Sequence, residues 1–203
     1  MLNIEEQSLI EDSINGNLDS FNQILIAYQT LAYNVAYRIL NDSASAEDAT
    51  QTAFISAFKS IKTFRGGSFK AWLMRIVTNA CYDELRRQKR RPTTPLEPYD
   101  EHDEEVESPA WLSDDSPSPQ DIAESAEFQK AVQKCLNQLP DEFRIVVVLV
   151  DIQGFDYQEV STVIKKPLGT IKSRLARARI RLRDCLQGFR ELLPLEFRLE
   201  SKG

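Results

Sequence analysis

The stretch from Tyr157 to Arg183 constrains the fold more than any other part of the chain, because it contains two helical patterns separated by a break. In the second pattern, apolar residues recur at steps of three and four and therefore share one face of an α-helix. These residues are Leu168, Ile171, Leu175, Ala178 and Leu182. The break is Lys165-Lys166-Pro167, and proline disfavours helix in the residue before it while suiting the first position of a new helix. We predict two helices joined by a tight turn.

The charge on the second helix indicates what it binds. Between Lys165 and Arg183 there are eight Lys or Arg residues and no Asp or Glu. A basic amphipathic helix can be only a solvated surface, so charge alone leaves that interpretation open beside nucleic-acid binding. A tight turn followed by a basic helix is the helix-turn-helix pattern, in which the second helix lies in the DNA major groove. Such turns often carry glycine where this chain has Lys165 or Lys166, so we expect a turn of somewhat different shape.

The composition favours a globular chain without a membrane-spanning segment. With 203 residues, 42% of them hydrophobic, the chain can form one or two domains with real cores. Its longest uninterrupted apolar run, Ile145 to Val150, is far shorter than the roughly 20 residues that span a bilayer. The N-terminus carries Glu5 and Glu6 and lacks the pattern of a secretory signal. We expect a cytoplasmic protein with no membrane insertion.

The cysteines and the histidine form no metal-binding or catalytic pattern. Cys81, Cys135 and Cys185 lie far apart in the sequence, and His102 is the single histidine. Each cysteine falls beside an apolar stripe, so we interpret all three as small buried or half-buried residues. His102 lies in an acidic segment that offers nothing to orient it beside a nucleophile. We predict no cofactor, no metal site and no enzymatic activity.

The charge divides the chain into three parts. Residues 1–91 hold 11 basic and 10 acidic side chains, residues 92–127 hold 12 acidic and no basic ones, and residues 128–203 hold 14 basic and 9 acidic ones. The middle part also holds six of the nine prolines. Acidic, proline-rich segments are typical of extended linkers. We predict two domains, 1–91 and 128–203, joined by a flexible linker over 92–127, in which Trp111 and Leu112 can anchor to a folded surface.

The pattern of apolar residues and capping residues predicts an all-α protein. In the first domain we expect four helices: Ile4 to Ile14, Phe21 to Leu40 capped by Asp19 or Ser20, a third opened by Ser45 with Asp48, and a fourth capped by Ser68. We place Phe54 and Phe58 on the inward face of the third helix. In the second domain we expect a helix from near Ile122 to before Pro140 and a tail after Glu191 that folds back.

The segment between Asp141 and Gly154 is ambiguous. It contains a run of β-branched residues, which locally favours a strand. Pro140 and Asp141 make a good helix start, Gly154 makes a good stop, and a single strand would have no partner. We predict a helix, so that the fold is two small helical domains.

Two blocks of sequence resemble one known family. AEDATQTAF at residues 46–54, FRGGSF at 64–69 and WLMRIVTNACYDELRR at 72–87 resemble region 2 of the extracytoplasmic-function sigma factors of bacterial RNA polymerase. Residues 139–186 resemble region 4 of the same family. Two independent blocks in the right order are far more specific than one helix-turn-helix. The resemblance implies an alternative sigma factor that reads two promoter elements and helps to melt the DNA.

The resemblance implies a role for particular residues. Those matching the minus-35 recognition helix are Thr170, Lys172, Ser173, Arg174 and Arg177. Those matching the positions that hold an extruded base of the minus-10 element are Phe64, Arg65, Gly66, Gly67, Ser68 and Asn79. Candidate phosphate contacts beside them are Arg86, Arg87, Arg90 and Arg91. Those matching the surface that docks on the polymerase are Asp48, Gln51 and Phe54, although Phe54 can equally be a core residue. Extruding a base costs about a few kcal/mol, which stacking and hydrogen bonds to the exposed base edge recover.

The resemblance also implies the partners of the chain. They are core RNA polymerase, through its β′ clamp helices and β flap, promoter DNA, and an anti-sigma factor. The acidic linker is then either an inert spacer or a mimic of nucleic acid in a polymerase channel. The alternative is a helix-turn-helix regulator that acts without docking on polymerase, which would leave the glycine loop and the block around Asn79 unexplained.

Overall fold

The structure, a computed structural model, describes residues 4–90 and 119–192, and within these ranges the regular elements are helical. The N-terminal domain contains α1 (Ile4–Ile14), α2 (Leu18–Leu40), α3 (Ser43–Ser60) and α4 (Phe69–Arg90), with a short 3₁₀ turn at Ile61–Thr63. The C-terminal domain contains α5 (Pro119–Asn137), α6 (Asp141–Val147), α7 (Tyr157–Ile164) and α8 (Leu168–Leu186). A π-helical turn over Val148–Ile152 extends α6, and a 3₁₀ segment over Gln187–Leu192 follows α8. The all-α prediction is confirmed.

Side-chain caps decide where the N-terminal helices begin, and two caps differ from the prediction. Asn17 caps α2 by accepting from Asp19 and Ser20 backbone N–H groups at 3.0 and 3.1 Å. Asp42 caps α3 by accepting from the Ser45 backbone N–H at 2.7 Å. The predicted caps at Asp19 or Ser20 and at Ser45 were wrong, because these residues lie in the first turn and supply the orphan N–H groups instead. Ser68 does cap α4, as predicted, by accepting from the Ala71 N–H at 3.1 Å.

The core of the N-terminal domain forms where α2, α3 and α4 face each other. Its largest fully buried side chains include Ile24, Ile39, Phe69, Leu73 and Met74. Small residues of α3 complete it, since Ala46, Ala53 and Ala57 are fully buried and let the helices approach closely. The inward assignment of Phe58 was wrong. Phe58 is 46% exposed, and its ring lies tilted against that of Phe21, with 5.2 Å between the ring centroids.

The C-terminal domain confirms the helical reading of its ambiguous segment. Val146, Val147, Val148 and Leu149 are all buried in α6 and the turn that extends it. Burial on every side explains the continuous apolar run, which local propensity alone reads as a strand. α5 begins at Pro119, so the last residues assigned to the linker are helical. Trp111, Leu112 and the tail beyond Leu192 lie outside the described residues.

Two of the three cysteines are joined by a disulfide that the sequence did not predict. Cys135 of α5 is bonded to Cys185 of α8, and their Cα atoms are 5.7 Å apart. The third, Cys81, is a free thiol buried in the N-terminal core, as expected. Burial raises the pKa of the Cys81 thiol to about 12.

The two domains pack against each other. α4 lies against α7, and α2 contacts α5 and α6. Arg144 of α6 is nearly buried, at 9% exposure, and its Nη1 donates to the carbonyl oxygen of Ile39 at 2.6 Å. Gln133 of α5 exchanges hydrogen bonds with Arg38, accepting from Nη1 at 3.1 Å and donating to the carbonyl oxygen at 3.3 Å. The carbonyl groups at the C-terminal end of α2 thereby accept hydrogen bonds from side chains of the other domain.

Candidate nucleic-acid and polymerase interfaces

The helix-turn-helix forms with a left-handed residue at its turn. Asp156 caps α7 and forms a capping box with Glu159, while Pro167 precedes α8. Lys165 adopts φ 52° and ψ 49°, the conformation that such turns usually give to glycine. Its N–H donates to the carbonyl oxygen of Ser161. The expectation of a differently shaped turn was wrong, because the chain accepts the cost of a positive φ at a lysine.

The predicted minus-35 residues lie on the first turns of α8, outside its buried stripe. Ile171, Leu175 and Ala178 form that stripe and are at most 1% exposed. Lys172 and Arg177 are exposed, and neither has an ion-pair partner within the described residues. Thr170 is half-buried, and Ser173 is exposed with its hydroxyl donating to the carbonyl oxygen of Thr170 at 3.0 Å. α8 therefore presents an open cationic face at its N-terminal half.

Other cations of α8 are held by carboxylates of the same domain. Arg174 forms an ion pair with Glu142 and is only 17% exposed. Arg179 pairs with Asp151 at 2.5 Å, a hydrogen bond that raises the pKa of the guanidinium. Arg183 pairs with its neighbour Asp184 at 2.9 Å. Sequence spacing did not separate these paired cations from Lys172 and Arg177.

The loop before α4 combines an exposed glycine pair with a buried aromatic residue. Gly66 and Gly67 adopt φ of 91° and 86°, which few other residues tolerate, and the space beside both is open. Arg65 is exposed, and its Nη1 donates to the carbonyl oxygen of Lys62 at 2.8 Å. Phe64 instead points into the core, with ring centroids 5.5 Å from Phe69 and 5.7 Å from Trp72. Phe64 therefore anchors the loop from below.

Asn79 lies on the exposed surface of α4, three turns beyond Ser68. At 1.5 Å per residue the two positions are separated by about 16 Å along the helix axis, and eleven residues bring them to nearly the same face.

The predicted phosphate contacts lie at and just beyond the C-terminal end of α4. Arg86 pairs with Asp83 at 3.3 Å, Arg87 pairs with Glu84 at 2.7 Å, and Arg90 donates to the Arg86 carbonyl oxygen at 3.2 Å. Arg91 lies outside the described residues.

Ser68 of the predicted minus-10 site contacts α7 across the domain contact. The Ser68 hydroxyl donates to Glu159 of α7 at 3.2 Å, and Lys70 lies over the ring of Phe155 at 4.2 Å from its centroid. Further along α4, burial raises the pKa of the Tyr82 phenol, and the nearby Arg174 of α8 opposes that rise. In this arrangement α4 and the last residue of the glycine loop, Ser68, lie against α7.

The predicted polymerase-docking residues share the outer face of α3. Asp48 and Gln51 are exposed, whereas Phe54 is half-buried and packs against the core. The same face carries Ile55, which the sequence analysis did not single out, at 57% exposure, and Phe58, which it placed inward, at 46%. Ile55 follows Gln51 by one helical turn. Ile55 could have been found from the sequence, because it is an apolar residue on the polar side of the α3 pattern.

Two further findings limit the chemistry of the described residues. No group of three or more His, Cys, Asp and Glu in these ranges could hold a metal ion. None of the described helices is long and apolar enough to cross a bilayer.

Comparison with known protein families matches both domains. Sigma-70 region 2 matches residues 24–91, and Sigma-70, region 4 matches residues 129–182. The first match covers most of α2 together with α3 and α4, and the second runs from the C-terminal part of α5 to Leu182 of α8. The chain thus carries the two family regions in the order that its sequence blocks indicated.

Similar proteins agree over most of the chain. The RNA polymerase sigma-H factor of Pseudomonas aeruginosa is 31% identical over 90% of this chain and 94% of its own length. The ECF RNA polymerase sigma-E factor of Escherichia coli is 32% identical over 87% and 91%. The ECF RNA polymerase sigma factor SigE of Mycolicibacterium smegmatis is 35% identical over 83% of this chain, which spans 62% of that relative's length.

Solved structures show the same fold. The sigma factor RpoE of Bartonella quintana, in a co-crystal with the anti-sigma factor NepR, has a TM-score of 0.62 and 25% identity over 84% of this chain and 98% of its own. CnrH in complex with the cytosolic domain of CnrY has a TM-score of 0.66 and 22% identity over 91% and 98%. The two matched regions and the sequence relatives show that the chain belongs to the extracytoplasmic-function sigma factors, which direct promoter-specific transcription initiation by RNA polymerase.

Proposed function

We propose that two surfaces of this chain bind core RNA polymerase and two others bind the promoter. The outer face of α3 docks on the β′ clamp helices of core RNA polymerase, and the C-terminal domain contacts the β flap. The N-terminal half of α8 reads the minus-35 element. The loop at residues 64–68 and the exposed face of α4 hold the non-template strand at the minus-10 element.

The open cationic face of α8 is the observation that carries the proposal. Lys172 and Arg177 are exposed and unpaired within the described residues, on the helix that follows a helix-turn-helix turn. Three other cations of the same helix are held by Glu142, Asp151 and Asp184. An ammonium or guanidinium that no carboxylate neutralises is available to phosphates and base edges. Arg181, the remaining cation of α8, lies over the ring of Phe143 at 5.4 Å from its centroid, so we assign Lys172 and Arg177 to DNA.

Transcription by core polymerase with this protein, on promoters that differ only in the minus-35 element, tests this assignment. Lys172→Ala and Arg177→Ala should each lower open-complex formation by roughly ten-fold. Arg183→Ala is the matched control, because it removes a cation of the same helix that is already paired with Asp184. Equal loss in all three variants would show that only total charge matters and would contradict the assignment. DNA binding without any need for polymerase would instead favour a helix-turn-helix regulator.

We expect Arg174 to behave differently from Lys172 and Arg177, because its guanidinium is paired with Glu142 in this arrangement. For it to reach DNA, the guanidinium must leave the carboxylate or share it with a phosphate. Arg174→Ala should weaken promoter-specific transcription, and Glu142→Gln should strengthen it by freeing the cation. Unchanged transcription with Arg174→Ala would remove this residue from the minus-35 site.

The distance between Ser68 and Asn79 sharpens the minus-10 assignment. Because about 16 Å separates them along α4, they contact different nucleotides of the strand. The glycine loop is the pocket for an extruded base, and the Asn79 amide, with both a donor and an acceptor, meets a neighbouring base edge. Asn79→Ala should spare polymerase binding and impair melting, measured by permanganate reactivity of the opened strand. Lost polymerase affinity in this variant would overturn the division of roles.

The remaining partners follow from the family. The relatives are sigma factors, which supports a cytoplasmic binding protein without a reaction or a cofactor of its own. The co-crystal of the similar RpoE with an anti-sigma factor supports an anti-sigma partner for this chain. Co-purification of the tagged full chain from its own cells, with and without core polymerase competition, tests that partner.

A further inference from the structure

Cys135 and Cys185 are brought together from α5 and α8, which lie far apart in the sequence of the C-terminal domain. Cys135 belongs to α5, Cys185 to the last turn of α8, and 50 residues separate them in the sequence. Their Cα atoms, 5.7 Å apart, lie within the range that a disulfide spans without moving the backbone. In a reducing compartment, which the proposed cytoplasmic function implies, thiol pairs that close into a disulfide are mostly redox-sensing or catalytic. No part of the promoter-reading function uses this pair.

The two sulfurs differ in their access to solvent. Cys135 is only 1% exposed, whereas Cys185 is half-buried at the surface end of the contact between α5 and α8. Cys185 is therefore the sulfur that an oxidant or a reductant meets first, and Cys135 is the resolving partner behind it.

We propose that Cys135 and Cys185 are a reversible redox modification site that takes peroxide-class oxidants and dithiol reductants. The Cys185 thiolate attacks one peroxide oxygen, breaks the O–O bond and becomes a sulfenic acid, and the released hydroxide takes a proton to leave as water. Cys135 then attacks the Cys185 sulfur, the S–S bond forms, and the second hydroxide also leaves as water. Two thiols and one hydrogen peroxide give one disulfide and two water molecules. An external dithiol reverses the bond through a mixed disulfide and is itself oxidised to a disulfide.

The third cysteine provides an internal contrast. Cys81 is fully buried in the N-terminal domain, away from the pair, and remains a thiol. Its burial raises the pKa of the thiol to about 12, so it forms little thiolate near neutral pH. Selectivity for two of the three cysteines therefore follows from position and access.

Oxidation changes the C-terminal domain by closing a long loop. The bond ties the last turn of α8 to α5, and the segment Gln187–Leu192 that follows also lies against α5, with Lys134 over the ring of Phe189 at 5.6 Å. Without the bond, no covalent link joins the last turn of α8 to α5. A cross-link between residues so far apart restricts the unfolded chain, so the oxidised protein should resist unfolding more than the reduced one.

Thiol counting on the full chain tests the proposal. The protein is treated with equimolar hydrogen peroxide or with reduced dithiothreitol, then denatured and alkylated. We expect three alkylated cysteines after reduction and one after oxidation, the remaining one being Cys81, with the chain monomeric on a non-reducing gel. Dithiothreitol should restore all three. Three thiols after peroxide, disulfide-linked dimers or a bond that dithiothreitol does not reverse would each overturn the proposal.

Thermal unfolding of matched variants provides the second readout. Oxidation should raise the midpoint by at least about 5 °C in the wild-type chain and in Cys81→Ala. Cys185→Ser should show no such shift, and because Cys185 is half-buried this variant is expected to fold. Cys135→Ala repeats the test from the other side. An equal shift in Cys185→Ser would mean that the bond is not the cause and would contradict the proposal. These outcomes do not depend on promoter recognition, so they can fail while the sigma-factor assignment stands.

Discussion

Three single residues show backbone strain, hydrogen bonding or thiol chemistry that local sequence patterns do not predict. Lys165 takes a positive φ at the turn of the helix-turn-helix, and Arg144 places a guanidinium at the end of a helix in the other domain. Cys81 keeps a neutral thiol inside the N-terminal core. Each of these has a consequence that one substitution can measure.

Lys165→Gly should stabilise the C-terminal domain by up to about 1 kcal/mol, because glycine removes the cost of a left-handed backbone at a residue with a side chain. Chemical denaturation measures the change. Lys166→Gly is the matched control, since it removes the same charge from a residue without a positive φ and should destabilise by a similar amount. Equal effects of the two substitutions would show that charge, and not backbone conformation, is responsible.

The Cys81 thiol predicts a fall in stability at high pH. Its pKa is about 12 in the folded chain against an ordinary value of 9.0, so the unfolded chain releases this proton first. The stabilisation from the neutral thiol is complete below the unfolded pKa and is lost progressively as the pH rises towards the folded one. Urea unfolding from neutral pH to about 10, without reductant, should show a shallower decline for Cys81→Ala than for the wild type. Parallel declines would contradict the shift.

At the scale of the element, the outer face of α3 and the N-terminal half of α8 are the exposed surfaces most suited to partners. α8 sets its unpaired cations apart from those neutralised within the domain. α3 is narrow on its buried side, where alanines pack, and leaves Ile55 and Phe58 outward beside Asp48 and Gln51. Apolar residues with a polar rim are typical of protein interfaces.

Ile55→Glu should reduce binding to core polymerase by at least about ten-fold, because it places a charge in the centre of the proposed docking face. Fluorescence anisotropy of the labelled chain with core polymerase measures the affinity. Ile26→Glu is the control, since Ile26 of α2 is even more exposed, at 71%, and lies on a different helix. Retained affinity in Ile55→Glu, or equal loss in both, would move the docking site away from α3.

At the scale of the whole molecule, the two domains form one packed unit in this arrangement. Ser68 of the glycine loop donates a hydrogen bond to Glu159 of α7, so its hydroxyl is engaged within the chain. Lys89 of α4 pairs with Asp141 at 2.5 Å, close to Arg144, which also bonds to Asp141. These contacts hold the N-terminal and C-terminal domains together.

Arg144→Met should lower the free energy of unfolding by about 2–3 kcal/mol, because the carbonyl oxygens of Ile39 and Leu139 lose a charged donor. Because the lost bond to Ile39 joins the domains, we expect the urea transition to broaden or split in this variant. Lys89→Ala serves for comparison. Its side chain is 70% exposed, so losing its ion pair should cost less than about 1 kcal/mol. A single unchanged transition for Arg144→Met would show that the domains are not coupled through this residue.

The sequence by itself determined the helices, through interactions between neighbouring residues, and its motifs indicated the family. Apolar periodicity, Pro167, the glycines and the Ser68 cap act over a few residues, so they predicted the helical class, the basic helix and the start of α4. Tertiary structure alone decided which groups meet. It paired Cys135 with Cys185 across 50 residues and carried Arg144 to Ile39 across 105. It turned Phe64 inward and Phe58 outward, and it separated the paired cations of α8 from the unpaired ones. These outcomes depend on how whole helices cross, which no window of neighbouring residues contains.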